Sequence, residues 1–217
     1  MRGTPTVAPG PPGSEAVARW AAGRGIGYAV RPDEAWFRAW EPFDTLISAS
    51  RYYNACSWAA SPGAVSLVEP WTEEDEGTEP IGRALLGFAQ HPGLRHRAAA
   101  RCGEGLLTRV SYLEGPPLPR APLGDARWDA AAVTFAHTPD EARAAFHPRL
   151  RAALAPFVRA APAGGAVGAP QVEPALHLEL RPGGLVLYCS HLAPSAEGYA
   201  ELARLVPELV VAALAYG

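Results

Sequence analysis

Apolar and polar positions alternate strictly along residues 176–180: Leu176, Leu178 and Leu180 share one face, His177 and Glu179 the other. A period of two marks a strand with one side against a core. Arg181-Pro182-Gly183-Gly184 supplies turn chemistry and Leu185–Ser190 returns, which predicts a β-hairpin. Beyond Pro194-Ser195 the period lengthens. Tyr199, Leu202, Leu205, Val206, Leu209, Val210 and Leu214 recur at three- and four-residue intervals, the stripe of an amphipathic helix. Pro207 lies inside it and predicts a bend, because its ring removes a donor and crowds the Ala203 carbonyl. Upstream, Ala130–His137 reads as an apolar strand, and Thr138-Pro139-Asp140-Glu141 combines a capping threonine, a first-turn proline and a glutamate at the third helical position. Ala142, Ala145, Phe146, Leu150, Ala153, Leu154 and Phe157 follow at helical spacing. Pro148 falls among them, so a kink near residue 144 or a break into two pieces is expected.

The first half is patterned less regularly and is richer in rings. Ser14 is placed to cap a short helix bearing Val17 and Trp20, which Gly23, Gly25 and Gly27 end. The GRGIG run has no Lys-Ser/Thr pair after it, as a phosphate loop requires, and reads as a turn before a strand. Pro32-Asp33-Glu34 opens a second helix with Trp36 and Trp40 on one face, stopped by Pro42. Then the period shortens. In Arg51–Trp58, Tyr52, Asn54, Cys56 and Trp58 fall on one face, and Arg51, Tyr53, Ala55 and Ser57 on the other. Ser61-Pro62-Gly63 turns the chain into Ala64–Glu69, a second hairpin. Arg83–Gln90, Leu94–Arg101 and Leu106–Leu113 read as three further strands.

These elements define an α+β protein: a β-rich N-terminal part, then a β-α-β-β-α C-terminal part with helices packed on an antiparallel sheet. The expected organisation is a flexible tail (1–13), an aromatic-rich, mainly β part (14–115), a proline-rich connector (116–124) and an α+β part (125–217). Early rings and late leucines are expected to hold two layered sheets together.

Composition narrows the class. With 48% hydrophobic and 19% charged residues among 217, the chain is globular. Its net charge of -3 is spread out, which argues against nucleic acid as partner, and the acidic run 73–79 reads as a solvated loop. All basic side chains are arginine, a residue suited to stacked or bidentate contacts. The N-terminus lacks the apolar centre of a secretory signal. No apolar run reaches membrane-spanning length, since even the C-terminal stripe carries Arg204 and Glu208. Three cysteines without a CxxC provide neither a disulfide framework nor a thiolate zinc site. A reduced, cytoplasmic protein with no membrane partner is expected.

Two groups of side chains carry candidate chemistry. Cys189 and His191 lie two apart on a strand, the spacing of a thiolate–imidazole pair, although strands also bury cysteine for packing alone. Arg51, Tyr52, Asn54 and Trp58 offer charge, stacking surface and an amide for an anionic or planar ligand. The plainer reading is a core-lining strand whose arginine pairs with Asp44 or Glu41. The six histidines form no metal motif, and the nucleophile elbow, Walker loop and dinucleotide fingerprint are absent, so neither metal nor cofactor is expected.

The succession Trp128-Asp129, a strand, Glu141-Ala142-Arg143, Leu150-Arg151-Ala152-Ala153-Leu154 and Leu176–Leu187 resembles the C-terminal module of uncharacterised proteins from GC-rich bacteria. It spans roughly the last 90 residues, and its motifs are mainly core pattern. The resemblance implies an architecture and carries over no catalytic residue. The expected function is that of a non-enzymatic intracellular protein that binds a partner protein or small ligand, or associates with itself. The alternative is an enzyme with an aromatic-lined pocket, hydrolytic through Cys189 and His191 or acting on an anionic substrate held by Arg51.

Overall fold

The computed structural model describes residues 10–40, 49, 51–61, 63–71, 84–102, 118–158, 176–189 and 192–214. In chain order, α1 (Ser14–Ala22), β1 (Gly27–Ala29) and α2 (Glu34–Trp40) precede four strands: β2 (Arg51–Ala59), β3 (Ala64–Trp71), β4 (Leu85–Gln90) and β5 (Ala98–Cys102). Then come α3 (Ala126–Asp129), β6 (Ala132–Ala136), α4 (Pro139–Ala145), α5 (Pro148–Leu154), β7 (Leu176–Arg181), β8 (Gly184–Cys189) and α6 (Ala196–Leu214). The protein is α+β, with helices packed on an antiparallel sheet.

The eight strands form one sheet in the order β1-β2-β3-β4-β8-β7-β5-β6, so the two layered sheets expected from the sequence are a single layer. Every neighbouring pair is antiparallel. Its centre joins the halves of the chain: β4 pairs with β8 from Leu85↔Cys189 to Gln90↔Gly184. β5 lies between β7 and β6, although it belongs to the first half of the sequence. The residues explain the arrangement. Leu85, Leu86 and Phe88 on β4, and Leu185, Val186 and Leu187 on β8, are apolar on successive positions. Strands of that kind need cover on both faces, which only the middle of a sheet supplies.

The main core lies on one face, where α1, α4, α5 and α6 meet Leu67, Leu85, Leu176, Leu178 and Leu187. α6 contributes Leu202, Leu205, Val206 and Leu209 and runs through Pro207 without interruption. On the other face α2 seats Phe37 among Tyr52, Ala55, Val68, Leu86, Phe88 and Val186. Burying one such side chain stabilises by about 1.5–3 kcal/mol, so both faces contribute to holding the sheet.

Several local expectations are refined. Thr138 caps α4 through Glu141 N–H at 3.1 Å, and the helical stretch breaks in two at Phe146-His147, ahead of Pro148. Ser14 does not cap α1. Gly13 takes that position with φ 92, and the Ser14 hydroxyl donates back to the Pro11 carbonyl at 2.6 Å. The short helix α3, capped by Asp125, was not expected; it precedes β6, which lies within the strand expected over Ala130–His137. The expected strand 106–113, the acidic run 73–79 and Pro42 lie outside the described residues.

Candidate functional site

The face assignment of β2 turns on one residue. Tyr53 lies opposite Glu69, yet Cys56 lies opposite Leu67, so Asn54 and Ala55 together oppose Val68. This is a β-bulge, and Asn54 adopts it with φ 55, a left-handed conformation that asparagine tolerates better than most residues. The extra residue reverses the alternation. Tyr52 and Ala55 point into the α2 side, while Cys56 and Trp58 join the main core. The sequence-predicted group Arg51, Tyr52, Asn54 and Trp58 is therefore divided between two faces. Tyr52 is buried, with the Phe37 ring 5.5 Å away and the Arg38 guanidinium 5.5 Å from its centroid. Arg51 is exposed at the start of the strand, and Trp58 is half-buried near its end.

Asn54 anchors a polar network that sequence reasoning missed. Its Oδ1 accepts from the Tyr28 hydroxyl at 2.7 Å, and its Nδ2 donates to Glu69 Oε2 at 3.0 Å. Trp71 Nε1 donates to Glu69 Oε1 at 2.8 Å, and the Tyr199 hydroxyl donates to the Asn54 carbonyl at 2.8 Å. Glu69 is fully buried. A carboxylate in that position must be hydrogen-bonded, and the network ties β1, β2, β3 and α6 together in doing so. Burial, more than any neighbour, pushes the Tyr28 phenol up. The signal available in the sequence was a lone glutamate inside the apolar run Val65–Trp71.

Cys189 lies opposite Leu85 and Leu176, wholly buried in the main core, and burial pushes its thiol far above the ordinary range. Cys56 and Cys102 are buried too, each pushed up to about 12. Thiols in these positions are protonated at neutral pH and act as packing groups. His191 lies outside the described residues. Among the described residues, no three His, Cys, Asp or Glu side chains converge as a metal site. A second buried polar row crosses the opposite face, where Arg101 on β5 opposes His177 on β7, which opposes Tyr188 on β8. Burial, with Arg101 and Arg181 adding to it, holds His177 well below the usual imidazole range. Glu179 accepts from Arg181 Nε at 2.7 Å, although burial still pushes its carboxyl up.

A concave surface opens beside α2. Trp36, Phe37 and Asp33 form its wall; Ala29, Ser57 and Gln90 belong to its floor, and its volume is about 510 Å³. Local bonds fix the wall: Glu34 Oε1 accepts from Tyr52 N–H at 3.3 Å, and Arg38 Nη1 donates to the Ala49 carbonyl at 2.8 Å. The groove borders β1, the end strand of the sheet. Val30 O accepts from Asn54 N–H at 3.1 Å. Ala60 N–H donates to the Gly63 carbonyl, so along β2 the backbone groups of Cys56 and Trp58 face β3 and those of Ala55 and Ser57 face β1. Gly27 and Ala29 therefore face β2, and Tyr28 turns its N–H and C=O outward. Tyr28 is part-buried, and no strand among the described residues pairs with that edge. The opposite edge is covered, since residues 119–121 hydrogen-bond to β6. An aromatic groove beside an unpaired backbone edge is chemically suited to an extended polypeptide.

The structure thus defines a class: an α+β protein on one eight-stranded antiparallel sheet, with an aromatic groove along one end. No protein-family model matches the chain, and no curated protein matches it. Among solved structures it is similar to the mycobacterial trehalose monomycolate transport factor A, TtfA, with a TM-score of 0.55 and 12% identity. The match covers 92% of this chain and 93% of that one. At that identity the likeness is one of fold. Among the described residues, no helix is long and apolar enough to cross a membrane.

Proposed function

We propose that this is a non-enzymatic binding protein that accepts an extended segment of a partner protein along β1, with partner side chains entering the groove beneath α2. The outward backbone of Tyr28 beside Trp36 is the observation that carries the reading. Main-chain hydrogen bonds to such an edge supply affinity, and the aromatic groove supplies selectivity. A fold shared with a protein named as a transport factor is compatible with a role in binding, not chemistry. The relation to proteins of GC-rich bacteria belongs to the same reading, supported by the all-arginine composition and a mycobacterial neighbour. An intracellular setting also belongs to it, supported by three cysteines that remain unpaired.

The test is affinity capture of the tagged full chain from its native cell, comparing wild type with Tyr28→Pro and with Val211→Lys on the distant helix α6. Proline at 28 deletes the outward N–H and places a ring on the edge. A stoichiometric protein retained by wild type and Val211→Lys but lost by a folded Tyr28→Pro is expected. Retention by all three would sink the strand-addition reading. A co-purifying metabolite in place of a protein would favour small-ligand recognition, and recovery of untagged copies would indicate self-association.

A further inference from the structure

Away from the groove, α3, α5 and Val158 enclose an open cleft of about 570 Å³, within the range typical of small-molecule sites. Trp128, Pro148 and Val158 give it an apolar wall, and exposed Ala152 stands at its rim. Asp125, Arg127 and Arg151 form its polar end. The two sequence segments noted for their resemblance, around Trp128-Asp129 and Leu150–Leu154, meet here.

The polar end is built and yet incomplete. Asp125 Oδ1 accepts from the N–H groups of Arg127 and Trp128 at 3.1 Å each, capping α3, and its Oδ2 accepts from Arg151 Nη1. The Trp128 N–H above all, with Arg151 adding to it, holds the Asp125 carboxyl below the usual range, so it is ionised at neutral pH. Arg151 is thereby pinned through one nitrogen. Its Nε–H is buried and has no acceptor among the described residues, and its guanidinium makes no other hydrogen bond with them. A buried N–H left unanswered costs about 1–3 kcal/mol. The edge formed by Nε and Nη2 carries two parallel donors, which match the two oxygens of a carboxylate once the side chain turns that edge, now closed to solvent at Nε, toward the cleft. Charge sets the valence. Two arginines against one aspartate leave a single positive charge, which a monoanion neutralises. A phosphate monoester, carrying about -1.5 to -2, would leave excess negative charge beside Asp125.

We propose that this cleft binds a small amphiphilic carboxylate, its head on the Arg151 guanidinium and its apolar body against Trp128, Pro148 and Val158. The site is independent of the β1 edge and stands or falls separately from it.

Calorimetric titration of the full chain with octanoate, below its micelle concentration, tests the proposal against octanol, octylammonium and octyl phosphate. Saturable one-site binding of octanoate is expected, with each of the other three at least about tenfold weaker. Arg151→Gln should weaken octanoate by about tenfold or more, and Ala152→Trp should block the cleft from a solvent-facing position without lowering the melting temperature. Should Arg151→Gln fail to fold, Ala152→Trp carries the test. Absence of saturable binding to wild type would overturn the proposal. So would octylammonium binding as tightly as octanoate, or octanoate binding undiminished in Ala152→Trp.

Discussion

At the scale of single residues, Asn54 combines an unusual backbone with a buried side chain that two other groups depend on. Replacement by glycine keeps the left-handed conformation but strips a donor from Glu69 and an acceptor from Tyr28. Leaving such partners unsatisfied costs about 2 kcal/mol. Alanine loses the same bonds and holds its Cβ in an unfavourable conformation, adding about 1 kcal/mol. Asn54→Ala should therefore be less stable than Asn54→Gly in urea unfolding, and the reverse order would show that the backbone geometry at the bulge is not a source of strain. The buried acids make a second prediction. Cys56 and Cys102 are raised from 9.0 to about 12, and Cys189, Tyr28 and Tyr188 move in the same direction. Above pH 9 the unfolded chain releases thiol protons that the native state retains, so the native state binds more protons and loses stability as pH rises. Stability should be fully present below pH 9 and decline as pH climbs towards 12. Urea midpoints at pH 7, 9 and 10.5 measure this, and a flat profile would contradict the burial of these groups. Iodoacetamide at neutral pH should label all three cysteines slowly in the native protein.

Among the elements, the approach of α6 to the sheet depends on Gly87. A Cβ there would lie 2.5 Å from Val206 Cγ2 and 3.3 Å from Leu202 Cδ1. Gly87→Ala should cost about 1–3 kcal/mol through overpacking. In the Val206→Ala background the same change should cost less, because the obstructing methyl is gone. A double-mutant cycle showing strict additivity would mean that α6 is free to shift away. How much of this architecture was legible follows from the range of its causes. The hairpin of β7 and β8 and the cap of α4 are specified by neighbouring residues, so their patterns can be read directly. The break between α4 and α5 follows from Pro148. The bulge in β2 does not, because it satisfies Glu69, a partner 15 residues away, and strict period two placed Tyr52 and Cys56 on one face. The groove escapes sequence reading for a related reason. Trp36, Ser57 and Gln90 are brought together only by strand pairing, and no local spacing announces it. The cleft was half visible, since its segments stood out as motifs but read as core until Arg151 was seen with one edge unanswered.

For the molecule as a whole, strand order decides how it folds. β4 and β8 meet at the centre of the sheet, and β5 is inserted between β7 and β6, so neither half of the chain holds a complete set of neighbours. A fragment beginning at Leu118 would keep the hairpin of β7 and β8 but lose β4 from one side and β5 from the other. β6 would have no strand partner left, and α6 would lose the surface around Gly87 and Leu85 on which it rests. Exposed apolar edges of that kind associate rather than persist as folded monomers. The fragment should show no cooperative melting. The full chain should unfold in one transition, coincident by far-ultraviolet dichroism and tryptophan fluorescence, and refold slowly for its size, because its central pairings are distant in sequence. A fragment that melts cooperatively, or two resolved transitions in the intact chain, would show that the halves are stable units joined at β4 and β8. The groove at β1 and the cleft beside α3 would then belong to separately folding parts, whereas a single transition couples both binding surfaces to one stability.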